Sequence, residues 1–166
     1  AAVVYMVSKR SGQTFTRDRS RLVAAVERYK GGGFLRDSAI AQLAPRMLVD
    51  TLGDLADGLA ALPARRKAVV LISEGLDIDL SKATPESPLW TDVIAAHNLG
   101  TTIGDMAKLF DRARRANVSV YCIDPEGLTP RKKDVQVDFL KTLSGNTGGF
   151  TAAEINDPQP AITQIF

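Results

Sequence analysis

Three short segments of this chain are apolar and rich in β-branched residues, and they constrain its fold more than any other feature. They lie at residues 2–8, 68–73 and 118–123, and each is shorter than a typical helix. Continuous apolar runs are typical of strands that are covered on both faces, as in parallel sheets. The segments between them have helical periodicity, and this alternation of strand and helix indicates an α/β fold.

Caps and leucine spacing mark the first helices. Thr16 or Asp18 is suited to cap a helix that ends at the glycines 31–33. A second helix is predicted over 45–62, where leucines recur at three- and four-residue spacing. These leucines are Leu48, Leu52, Leu55, Leu59 and Leu62.

The remaining elements follow from the same signals. Helices are predicted over 101–116 and 134–143, a short strand over 150–153, and a last helix after Asp157. Weak alternation over 13–16 suggests an antiparallel hairpin with the first apolar segment. The expected architecture is therefore a mostly parallel sheet with one antiparallel edge strand.

Composition limits the possible functions. The 166 residues are 45% hydrophobic and 24% charged, which is sufficient for one folded domain. A formal net charge of +2 gives no reason to expect a nucleic-acid partner. No apolar run approaches the ~20 residues that cross a bilayer, so no membrane segment is predicted. Cys122 and His97 are the only residues of their types, which excludes disulfide frameworks and multi-histidine metal sites.

Polar and aromatic side chains follow two of the predicted strands. The carboxyl ends of parallel strands meet at one edge of a sheet, where open α/β folds usually bind their ligands. A binding face is therefore predicted at this edge and in the long loop that follows the second strand. Its residues are Ser73, Glu74, Asp77, Trp90, Asp124 and Glu126.

Several of these residues also have purely structural interpretations. Glu74 is as well suited to cap a turn as to bind a ligand, and for Asp124 the turn is favoured. Trp90 is suited to anchor a partner or to pack over the sheet edge. Cys122, within an apolar strand, is interpreted as a buried thiol, and the basic residues 65–67 as a solvated surface.

The order of three phrases carries a resemblance to a known family. RRKAVVLISEG (65–75), ANVSVYCID (116–124) and LSGNTGG (143–149) resemble, in this order, the von Willebrand factor type A domain. More narrowly, they resemble the bacterial proteins related to that domain, over nearly the whole chain. The resemblance implies a doubly wound sheet with helices on both faces, a role in protein binding or adhesion, and a secreted or cell-envelope location.

The resemblance also implies that one unit precedes the sequence. Residues 2–8 match the family's second strand, and nothing here matches its first strand and helix. A parallel sheet without its central strand would expose unpaired edges. We therefore expect residues 1–166 to form a single domain that is incomplete at its N-terminus by one βα unit.

Metal-binding members of the family hold Mg²⁺ or Mn²⁺ with an Asp-x-Ser-x-Ser loop, a threonine and an aspartate. The first loop would lie in the missing unit, and the threonine falls near 31–40, where Ser38 is the only hydroxyl. The aspartate falls on Glu74, and Asp77 could supply a further carboxylate. Two alternatives remain: a Mg²⁺ or Mn²⁺ site on these residues, or a degenerate face without metal, which the lost threonine favours.

Two functions of different classes are consistent with this sequence. The first is a protein-interaction module without catalytic activity, which binds an unidentified protein at the sheet edge. The second is a Mg²⁺-dependent phosphoryl-transfer or hydrolytic enzyme that uses Glu74, Asp77 and Asp124. The resemblance favours the first.

Overall fold

A computed structural model describes eight elements in two compact units, Ala1–Thr51 and Leu52–Phe166. The described residues are 1–5, 12–29, 38–63, 65–76, 78, 90–126 and 134–165, with only the backbone described at 38–42 and 90–99. The elements are α1 (Arg19–Glu27), α2 (Ser38–Ala60), β1 (Lys67–Ile72), α3 (Trp90–Ala116), β2 (Val118–Ile123), α4 (Asp134–Thr147), β3 (Thr151–Ala152) and α5 (Gln159–Ile165).

The first unit contains an antiparallel bridge and a capped helix. Val3 and Gln13 exchange backbone hydrogen bonds of 2.9 and 2.8 Å, which is the described part of the predicted hairpin. The rest of the predicted strand at 6–8 lies outside the described residues. Asp18 accepts hydrogen bonds from two N–H groups in the first turn of α1, which confirms the predicted cap. The Tyr5 and Tyr29 rings stack with centroids 5.3 Å apart.

Helix α2 is longer than predicted at its amino end. It begins at Ser38, and Pro45, which was predicted to open the helix, lies inside it. A proline inside a helix costs about 3 kcal/mol, and the buried residues beside it, Ala44, Leu48 and Val49, supply the packing on which helices in proteins mainly depend. Leu52 and Leu59 are buried as predicted, whereas Leu62 is exposed because the helix ends at Ala60.

The second unit is built on a parallel sheet with the strand order β1-β2-β3. Lys67 pairs with Val118 and Ile72 with Ile123, and Cys122 pairs with Thr151 on the other side. Helix α3 connects β1 to β2, and α4 connects β2 to β3. These elements confirm the mixed α/β class.

Helices α3 and α4 lie on the same face of the sheet. Ala113 of α3 belongs to a buried cluster with Val118, and Val69 packs against that cluster. The Ser144 hydroxyl of α4 lies 2.9 Å from that of Thr151. The strand register places Val69, Val118 and Thr151 on one face of the sheet. Crossovers between parallel strands are almost always right-handed, and two successive ones in the same direction place their helices on one face.

The prediction that each strand is covered on both faces is correct for β2 and wrong for β1. All six residues of β2 are buried, whereas the residues of β1 alternate between half-buried and exposed. Val70 and Ile72 are 38% and 68% exposed. The reason is that β1 lies at the end of the described sheet, where the described helices pack on the face that contains Val69.

Two basic residues at the start of β1, which were predicted to be simply solvated, contact the carboxyl ends of two helices. The Arg66 guanidinium donates a 3.0 Å hydrogen bond to the Gly148 carbonyl, just after α4. Lys67 Nζ donates a 2.9 Å bond to the Ala116 carbonyl, the last residue of α3. Cations are favourable at helix C-termini, where the last carbonyls lack partners within the helix.

A side chain completes the hydrogen bonding of β2 next to the short β3. The Cys122 N–H donates to the Phe150 carbonyl at 3.0 Å, and the Val120 N–H donates to Thr147 Oγ1 at 3.0 Å. Thr147 lies in the last turn of α4, which extends beyond its predicted end at 143. The Val120 N–H group is buried and must be paired. The Thr147 hydroxyl accepts its hydrogen bond, as the carbonyl of a further β3 residue would in a longer strand.

Position 149, two residues before β3, requires glycine because a Cβ there would overlap the Val120 carbonyl. We expect Gly149→Ala to lower the free energy of unfolding by about 1–3 kcal/mol, since backbone must shift. Gly145→Ala is the control. This exposed position of α4 has open space for a Cβ, so alanine should raise the free energy of unfolding by about 0.5–1 kcal/mol. Urea unfolding measures both values, and an equal effect of the two variants would contradict the described packing.

Candidate functional site

The three strands of the second unit end at one edge of the sheet. The Ser73 N–H donates to the Ile123 carbonyl at 3.0 Å, and the Asp124 N–H donates to the Ala152 carbonyl at 2.9 Å. Pairing thus continues one residue beyond β1 and β2, so Ser73 and Asp124 start the loops side by side. We call Ser73, Glu74, Asp124, Glu126 and Glu154 the carboxyl edge.

Asp124 shapes the turn after β2. Its side chain is 3% exposed, and Oδ1 accepts a 3.1 Å hydrogen bond from the Glu126 N–H. A carboxylate that binds the backbone two residues later forms an Asx turn, as the turn interpretation predicted. Asp124 therefore fixes the backbone that presents the exposed side chain of Glu126.

A tight turn after β1 presents Glu74. Ser73 Oγ accepts a 3.1 Å hydrogen bond from the Gly75 N–H, and Gly75 has a φ of +88°. A Cβ on Gly75 would overlap the Gln136 carbonyl in the first turn of α4. The turn therefore packs directly on the amino end of α4 and leaves the Glu74 side chain exposed between its neighbours.

Glu154 is the residue of this edge that the sequence analysis missed. It follows β3 by two residues, is exposed, and has a φ of +58°. The left-handed region is unfavourable for a residue with a side chain, by about 1 kcal/mol. Its position after the predicted strand at 150–153 was the available signal, because that strand ends at the same edge as the other two.

The described part of the edge is acidic. Among residues 73–76, 124–126 and 153–157 there are five carboxylates and no basic side chain. At the opposite end of β1, Arg65 and Arg66 precede its first residue, Lys67. Because the three described strands of this sheet are parallel, the acidic groups lie at the edge where the strands end and the basic groups lie where β1 starts.

Three predicted site residues have side chains outside the described residues. Asp77 is not described, and Ser38 and Trp90 are described by backbone alone. Both were predicted in loops, and this was wrong, since Ser38 begins α2 and Trp90 begins α3. Helix α3 starts before its predicted start at 101 and continues through Gly100, which costs a helix only about 1 kcal/mol.

The described residues do not form a metal site. Among them, no group of three His, Cys, Asp or Glu side chains is arranged to hold a metal ion. Of the three predicted ligands, only Glu74 has a described side chain, and it is exposed. A Mg²⁺ or Mn²⁺ site on Glu74, Ser38 and Asp77 therefore stays a prediction.

The Cys122 thiol lies next to this edge and is expected to be unreactive. Burial raises its pKa to about 12, and a hydrogen bond with Thr151 opposes this shift only in part. A neutral thiol is a poor nucleophile. This agrees with its interpretation as a buried structural residue.

We expect Cys122 to resist thiol reagents in the folded state at pH 8. Its raised pKa keeps the thiol protonated until pH approaches 12, so labelling requires unfolding. The rate of reaction with a disulfide reagent should therefore rise with urea in parallel with the unfolded fraction. Rapid labelling without denaturant would contradict the described burial.

We also expect Glu154→Gly to raise the free energy of unfolding by about 1 kcal/mol, because glycine adopts a positive φ without strain. Glu154→Ala is the matched control, since it removes the carboxylate and keeps the unfavourable backbone. Thermal and urea unfolding of both variants test this. A stability loss in Glu154→Gly would contradict the conformation of residue 154.

Among the described residues, no helix is long and apolar enough to cross a membrane. No protein-family model matches the sequence, and neither characterised proteins nor solved structures give a match. The resemblance to the von Willebrand factor type A domain accordingly rests on the order of sequence phrases alone and stays a prediction.

Proposed function

We propose that this chain is a protein-interaction module and that the carboxyl edge is its binding face. The observation that carries the proposal is the convergence of three strand ends on one edge. Hydrogen bonds fix the backbone at Ser73 and Asp124, while Glu74, Glu126 and Glu154 are exposed beside them. Exposed side chains on a backbone held by a sheet are suited to recognise a partner with little loss of entropy.

We further propose that the chain has the doubly wound fold that the resemblance implies. Its support is the succession β1-α3-β2-α4-β3, in which a helix connects each pair of neighbouring parallel strands. The Val3–Gln13 bridge supports the antiparallel strand. In the family, this fold presents its ligands at the same edge of the sheet.

The chemistry of the edge favours binding over catalysis. Its exposed groups are carboxylates, and opposite charge on a partner would accelerate encounter and set its orientation. Asp124, the buried carboxylate, is engaged with the backbone of its own turn. Asp77 and Trp90, which the sequence analysis assigns to this face, stay part of the proposal.

The binding proposal predicts that a partner contacts Glu126 and Glu154. A photo-crosslinking residue placed at either position should form covalent adducts in cells of the source organism. Asp138, which is exposed on α4 outside the carboxyl edge, is the matched control and should form none. Hydrolysis of phosphate esters in Mg²⁺, abolished by Glu74→Ala, would instead support the enzymatic alternative.

The metal alternative has its own measurement. If Glu74 helps to hold Mg²⁺ or Mn²⁺, the cation should raise the melting temperature over that in EDTA, because a ligand of the native state stabilises it. Glu74→Ala should lose the shift. Equal melting temperatures would indicate a degenerate face that binds its partner without metal.

A further inference from the structure

We draw no further inference here: the strongest candidate, the surface patch of exposed apolar side chains that Val23 and Val26 of α1 form with Tyr29 just after it, carries none, because nothing in the described part of the chain shows what covers it.

Discussion

The buried backbone of β2 is the constraint on which the second unit depends. All six of its residues are buried, so each of its N–H and C=O groups must find a partner within the protein. β1 supplies partners along one side, and on the other the two residues of β3 are too few. The Thr147 hydroxyl accepts the hydrogen bond of the Val120 N–H group instead. This explains why α4 continues to Thr147 and why Gly149 lies so close to the Val120 carbonyl.

The same constraint determines which parts of the fold can be predicted from the sequence. β2 is apolar on both faces, so residues 118–123 were predicted as a strand from composition alone. β1 has the same composition, yet one face is exposed, because coverage depends on what packs there and composition does not record this. Helix ends were predicted less well where Gly100 and Pro45, which usually break helices, lie inside them.

The candidate site was predictable where it follows strands and not elsewhere. Ser73, Glu74, Asp124 and Glu126 lie at one edge because parallel strands share their direction. Glu154 was missed because β3 has only two residues and its unfavourable φ has no signature in the sequence. The roles of Arg66 and Lys67 were missed because capping of a distant helix depends on tertiary structure, whereas a run of basic residues suggests only solvation.

The register of the sheet has a consequence for the order of folding. The chain between Cys122 and Thr151 contains α4 and the segment before it, whereas the longer chain between Lys67 and Val118 contains α3 and the segment before that helix. Closing a longer loop costs more entropy, so we expect β2, α4 and β3, the more local unit, to assemble first and β1 to join last. Until β1 joins, one side of β2 would be open to water.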